Sequence, residues 1–213
     1  HRVAKVVCWS RNIASMDSPF IHRVAKLIPY AAKNKSVPTL SFAYHFEPPA
    51  DDNAQLGSFF VVIEVMANQA LAGQLIDLII KTVGEEYYNQ AYTDSTEVRF
   101  EKALAAVNKQ VSELQKHKTT AHGKISALIG IIAGEELHLS QAGSASAFLY
   151  RRHKATQLTL EGDTKSTKSF PSIITGELKA GDKLLLATPA VLFSFSLTQL
   201  KEIIEDNAPN SAV

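Results

Sequence analysis

Apolar and polar residues alternate between residues 123 and 160, and this stretch predicts the sheet around which the rest of the chain is arranged. The apolar positions of its first segment share one face: Ile125, Ala127, Ile129 and Ile131. This spacing is typical of a strand that packs one face on a core. Three further alternating segments follow, separated by short turns. Because short connections join antiparallel neighbours, we predict a four-stranded meander that forms one central sheet.

Other apolar segments predict five more strands. Three of them are apolar runs with little polar alternation, as expected for strands that are well covered. These runs are residues 3–9, 57–65 and 183–188, and the other two segments are residues 39–47 and 210–213.

Helical spacing of apolar residues predicts two long helices between these strands. The first covers residues 70–88, and Gly84 is a position at which it could end early. The second covers residues 96–116. A capping box precedes it, in which Glu97 is expected to reach back to the backbone amide of Asp94.

The order of the predicted elements indicates the fold class. Pro189 should stop the ladder of the strand at 183–188, and a short helix over residues 196–204 follows, capped by Ser196. Strands, then two helices, then strands again lack the regular alternation of strand and helix that builds a doubly wound sheet. We therefore predict a layered α+β domain.

Composition narrows the class of protein and its partners. With 213 residues and 46% hydrophobic content, the chain is expected to form one domain over residues 1–213, and its strand-like ends indicate a piece of a longer protein. Lys and Arg number 22 against 21 Asp and Glu, so we expect no nucleic-acid partner. No apolar run approaches the roughly 20 residues that cross a bilayer, so no membrane segment is expected. A single cysteine, Cys8, fits a reducing compartment, and we expect a cytoplasmic location.

Six fragments in this order resemble the PPM-type, or type 2C, metal-dependent serine/threonine protein phosphatases. The resemblance covers about residues 36–213. Residues 57–68 are similar to the family's strand that ends in Asp-Gly-x-Gly-Gly, and residues 142–149 to its Gly-Asp-Ser-Arg-x-Tyr segment. The other fragments are similar to its Gly-Thr-Thr, its Leu-Thr, the run before its Thr/Ser-Asp-Gly and the helix after it: residues 123–127, 158–159, 180–188 and 196–200. The resemblance implies two packed antiparallel sheets flanked by helices, an α-β-β-α sandwich.

The resemblance also implies a two-metal site between the sheets at one edge. Four positions of this chain match aspartates of that site: Glu64, Ser144, Pro189 and Pro209. Only one of the four is an acid. Because Mn²⁺ and Mg²⁺ take oxygen ligands and a proline side chain offers none, we predict a degenerate site with no catalytic residue, metal or other cofactor. If the resemblance is correct, Glu64, Ser144 and Pro189 should lie close together.

Two functions follow, and the sequence leaves both open. The first is a catalytically inactive pseudophosphatase domain that acts as a regulatory or protein-interaction module, with another protein or other domains of the same chain as its partner. The second is a divergent metal-dependent phosphoprotein phosphatase, in which Glu64, Asp51 and Asp52 hold Mn²⁺ or Mg²⁺ in an unorthodox site. Asp163 and Asp182 are weaker members of such a set, because Asp163 lies in a predicted loop and Asp182 lies a strand's length from the predicted edge.

Overall fold

The computed structural model describes residues 4–10, 21–27, 39–49, 54–89, 91, 93–116, 123–159 and 168–206; for residues 4–10, 21–27, 203, 205 and 206 the description covers the backbone alone. The predicted strand at 210–213 and the candidate residues Asp51, Asp52, Asp163 and Pro209 lie outside the described residues. Within the described part of the chain, no helix is long and apolar enough to cross a membrane.

The described strands form two antiparallel sheets. The first contains β1 (Ala4–Ser10), β2 (Ile21–Leu27), β7 (Ser146–Arg151), β8 (Lys154–Gln157) and β10 (Lys183–Ala187). The second contains β3 (Thr39–Phe46), β4 (Ser58–Met66), β5 (Lys124–Ala133), β6 (Glu136–Ala142) and β9 (Ile173–Glu177), and a 3₁₀ turn at Ala54–Leu56 precedes β4. The strand orders are β2-β1-β10-β7-β8 in the first sheet and β3-β4-β5-β6-β9 in the second.

Helices cover the outer face of each sheet. α1 (Gln69–Tyr87) and α2 (Thr96–Lys116) pack on the second sheet, while α3 (Pro189–Ser194) and α4 (Leu197–Asp206) pack on the first. A third apolar cluster fills the space between the two sheets. The layers follow the order helix, sheet, sheet, helix. The predicted α+β fold with two packed antiparallel sheets is therefore confirmed.

Strand β4 shows how the layers are built from the sequence. Val61 and Ile63 face α1 and α2, whereas Phe60 and Val62 face the first sheet. All four side chains are fully buried, as the continuous apolar run of β4 predicts. Since successive side chains point to opposite faces of a strand, Glu64 shares the face of Phe60 and Val62 and points between the sheets.

The predicted meander of four strands in one sheet is wrong. β5 and β6 pair in the second sheet, but β7 and β8 pair in the first, next to β10. The chain crosses between the sheets at Gly143, whose φ is +59°, and a Cβ there would lie 2.4 Å from the Ile125 carbonyl oxygen. A short connection joins strands that are neighbours in space. In a sandwich the next strand can lie in the facing sheet, about 10 Å away, instead of in the same sheet. Leu128 and Ile132 pack against that facing sheet, so β5 is buried on both faces and not on one as predicted.

Most other elements lie where the sequence predicts them. β3, β4, β10 and the long α1 and α2 are confirmed, and α1 continues through Gly84 to Tyr87. β2 and β9 were not predicted.

The residue that caps the start of α2 differs from the prediction, whereas the cap of α4 agrees with it. α2 begins after Ser95, whose hydroxyl oxygen accepts a hydrogen bond from the Val98 amide over 3.5 Å, so the cap residue is Ser95 and not Asp94. Ser196 caps α4 as predicted, because its hydroxyl oxygen accepts from the Gln199 amide at 3.2 Å.

Candidate functional site

One edge between the sheets brings together three of the four positions that match the family's metal ligands. Glu64 lies near the end of β4, directly opposite Ser126 of β5. The turn after β6 lies beside it, because the Ser144 amide donates to the Ser126 hydroxyl oxygen over 3.4 Å. α3 begins at the same edge with Pro189. Glu64, Ser144 and Pro189 all line one small cavity of about 90 Å³, so the expected convergence is observed.

Glu64 serves as a hydrogen-bond acceptor at this edge. Glu64 is only 6% exposed, and its Oε2 accepts a hydrogen bond from the Ala190 amide over 3.0 Å. Ala190 follows Pro189 in the first turn of α3, where backbone N–H groups have no acceptor within the helix. Proline is favoured at the first position of a helix because its φ is fixed near the helical value. The carboxylate therefore connects the second sheet to the start of α3.

The remaining lining of the cavity adds a positive charge. Among the described residues, Met66, Lys124 and Ser126 also line it. Lys124 stands in the segment that matches the family's Gly-Thr-Thr, so a basic residue lines the cavity beside Glu64.

The described residues do not fit a two-metal centre. Such a centre needs several oxygen ligands, which a set of carboxylates usually supplies. Here the matched positions offer one carboxylate, Glu64, and this group already accepts a hydrogen bond from the Ala190 amide. Pro189 has no side-chain donor atom. Among the described residues, no group of three or more His, Cys, Asp or Glu side chains is placed to hold a metal ion.

Asp182 belongs to a different part of the fold. It precedes β10, whereas Pro189 follows the other end of that strand. Its buried carboxylate accepts from Arg151 Nε over 2.9 Å and from the Lys179 amide over 2.7 Å. The hydrogen bond that Arg151 donates to the Asp182 carboxylate raises the pKa of the Arg151 guanidinium above its ordinary value. Asp182 therefore fixes the β7–β10 pair and does not reach the edge.

Sequence reasoning missed the polar row that crosses β3, β4 and β5. Ser41 is paired with Glu64 on one side, and Ser126 is paired with it on the other. Ser41 is 5% exposed, and its hydroxyl oxygen is buried without a hydrogen-bond partner in the described structure. Lys124 was also missed as part of the lining. The signal that finds these residues is the strand register. Ser41 and Ser126 lie directly opposite Glu64, and Lys124 lies opposite Met66, which is two residues along β4 on the same face.

Comparisons with known proteins agree with this architecture. No protein-family model and no curated protein sequence matches the chain. Solved structures do match. The Mycobacterium tuberculosis serine/threonine phosphatase PstP/Ppp has a TM-score of 0.58 at 14% identity, covering 78% of this chain and 85% of that one.

Two further structures extend this likeness. The catalytic domain of PstP in complex with two manganese ions has a TM-score of 0.62 at 15% identity, covering 83% of this chain and 89% of that one. PppA, described as a key regulatory component of T6SS in Pseudomonas aeruginosa, has a TM-score of 0.62 at 14% identity, covering 82% and 87%. At these identities the likeness shows the fold alone: the chain has the α-β-β-α sandwich of the PPM-type serine/threonine phosphatases.

Proposed function

We propose that this chain is a catalytically inactive PPM-type phosphatase-like domain, a pseudophosphatase, that acts as a regulatory or protein-interaction module. The observation that carries the proposal is the loss of carboxylates at the edge whose positions match the family's metal ligands. Of Glu64, Ser144 and Pro189, only Glu64 has a carboxylate, and its Oε2 accepts a hydrogen bond from the Ala190 amide.

Ligand chemistry supports this proposal. A metal-dependent phosphatase site has to neutralise both a phosphate group and its own ligands, which takes cations held by several carboxylates. Among the described lining residues, the one acidic residue, Glu64, is accompanied by the basic Lys124, so this lining has little excess negative charge to attract a divalent cation. In addition, Val65, Ala67 and Asn68 stand where the family has glycines, and glycine is the residue that lets a backbone approach a ligand closely.

The proposal extends to partners and location. We propose that the domain spans residues 1–213 and binds another protein or other domains of the same chain in the cytoplasm. The nearly equal numbers of basic and acidic residues, 22 and 21, support a protein partner over a polyanion, and the single cysteine fits a reducing compartment.

Thermal unfolding with and without Mn²⁺ tests the proposal. One metal site filled at a hundredfold over its dissociation constant stabilises a protein by about 2.7 kcal/mol. For a chain of this size that corresponds to a rise in melting temperature of roughly 5 to 11 °C. We expect a rise below about 1 °C at millimolar Mn²⁺ or Mg²⁺, well under that scale.

Glu64→Gln and Glu113→Gln provide the matched pair of variants. The first removes the buried charge at the edge and keeps an oxygen acceptor for the Ala190 amide, while the second changes an exposed glutamate of α2. A melting rise with Mn²⁺ that Glu64→Gln abolishes and Glu113→Gln retains would overturn the proposal and support a divergent phosphatase.

A further inference from the structure

A second and larger cavity lies at the other end of β4 from Glu64. It has a volume of about 430 Å³, within the range of roughly 300–1,000 Å³ that is common for ligand sites. We call it the aromatic groove, and its ring-bearing lining residues are Tyr44, Phe46, Pro48, Pro49, Phe59 and Tyr88. Phe59 and Glu64 are five strand residues apart, or about 16 Å, so the groove is separate from the edge cavity.

The walls of the aromatic groove are preformed. The Phe59 ring contacts the rings of Tyr44, Phe46 and Tyr88, with centroid distances of 5.4, 5.8 and 6.0 Å. The Tyr88 hydroxyl donates to the Gly57 carbonyl oxygen over 2.8 Å. Burial raises the pKa of the Tyr88 phenol above its ordinary value, so this hydroxyl stays protonated and keeps the ring in place. A ligand therefore meets rigid aromatic faces and loses little free energy in ordering them.

Gly84 gives the groove part of its depth. α1 continues through this residue, although glycine inside a helix costs about 1 kcal/mol relative to alanine. A Cβ at Gly84 would meet only the Phe59 ring, at 3.8 Å, which is an ordinary van der Waals contact. Alanine would thus fit here, and the missing side chain leaves the space over Phe59 open on the groove side of the helix.

Among the described residues that line the groove, one basic and one acidic residue balance each other. Lys81 and Glu85 stand one helical turn apart on the lining, with 3.7 Å between Nζ and Oε1, and their side chains are 74% and 66% exposed. An exposed pair of this kind contributes little to stability and creates no net field. The groove therefore matches an uncharged, apolar occupant better than a phosphorylated or strongly charged one.

We propose that the aromatic groove binds an uncharged, proline-rich segment of a partner protein in the polyproline II conformation. Proline rings pack well on aromatic faces, and the extended proline helix is largely ordered before binding. An ordinary peptide would bury backbone N–H groups against walls made mostly of carbon, whereas proline has no N–H to leave unpaired. Tyr44 places a phenol on the lining that can donate to a prolyl carbonyl oxygen.

This inference names a partner class for the proposed interaction module, but it does not depend on the edge at Glu64 being inactive. A chain that failed to bind a proline-rich segment could still be a pseudophosphatase, and an active phosphatase could still bind such a segment in the groove.

Titration of the full 213-residue chain with decaproline tests the inference, with a glycine-serine decapeptide as the control ligand. Two variants of α1 form a matched pair. Gly84→Leu fills the groove beside Phe59, whereas Gly73→Leu makes the same change where a Cβ meets nothing within 4 Å. Leucine is the better helix former, so both variants should melt at or above the wild-type temperature.

We expect decaproline to bind the wild type and Gly73→Leu equally, and Gly84→Leu at least tenfold more weakly, by isothermal titration calorimetry. The dissociation constant should change less than about twofold between low and high salt, because no ion pair is formed.

The inference is overturned if decaproline does not bind the wild type, or if Gly84→Leu binds it as well as Gly73→Leu does. It is also overturned if Gly84→Leu alone changes the sedimentation of the free protein, because the groove would then be an interface between copies of this chain. Binding of indole without binding of decaproline would assign the groove to small molecules instead.

Discussion

Replacing Glu64 by alanine should destabilise the chain by a predictable amount. The carboxylate accepts a hydrogen bond from the Ala190 amide over 3.0 Å, and Ala190 is only 4% exposed. Without the acceptor, this N–H is left in the interior with no partner, which costs about 1–3 kcal/mol. For a chain of about this size, each kcal/mol lowers the melting temperature by about 2–4 °C. We therefore expect Glu64→Ala to melt roughly 2–12 °C below the wild type.

Glu64→Gln separates this structural role from metal binding. The amide oxygen of glutamine can still accept from the Ala190 amide, so we expect Glu64→Gln to melt much closer to the wild type than Glu64→Ala does. Calorimetry in metal-free buffer measures all three proteins under one condition. Equal losses in the two variants would contradict the structural role of the hydrogen bond, since the charge of Glu64 and not its acceptor oxygen would then matter. A Glu64→Ala variant that melts at the wild-type temperature would contradict this role as well.

Two further substitutions test the packing of the sandwich. Asp182→Ala removes the partner of Arg151, whose side chain is 37% exposed. Because the pair is not fully buried, we expect the free energy of unfolding, measured by urea titration, to fall by about 2 kcal/mol, which is below the range for a fully buried pair. Gly130→Ala places a methyl group 2.3 Å from the Phe60 ring, so about 1–3 kcal/mol should be lost, while Gly176→Ala, with nothing within 4 Å, should change stability by less than 1 kcal/mol. Wild-type stability in Asp182→Ala or Gly130→Ala would contradict the packing described for that residue.

The sequence could predict those elements whose pattern is determined locally. β4 is buried on both faces, so it appears as a continuous apolar run, and α1 and α2 repeat apolar residues at helical spacing. β9 could not be found in this way because it is an edge strand whose last three residues are exposed, which leaves only Ile173 and Ile174 as an apolar signal. The division of the meander between two sheets was also hidden. The alternation of Ala145 and Ala147 with polar residues predicts that a strand, β7, begins here. It does not show which of the two sheets β7 joins.

The candidate site was predicted in outline and not in its contacts. Resemblance alone placed Glu64, Ser144 and Pro189 at one edge, and the structure has them on one cavity. The Ala190 amide could not be foreseen as the partner of Glu64, because it lies 126 positions away along the chain and a backbone N–H leaves no mark in the sequence. Lys124 was likewise hidden until the pairing of β4 with β5 defined its neighbours.

The most direct test of the account is turnover of a small aryl phosphate by the purified wild-type chain, measured with millimolar Mn²⁺ and in the presence of a chelator. At the described edge the one matched carboxylate, Glu64, accepts a hydrogen bond from the Ala190 amide, so under the proposal we expect the same background rate in both conditions. Mn²⁺-dependent turnover that disappears in Glu64→Gln, while the variant keeps the wild-type melting temperature, would contradict it.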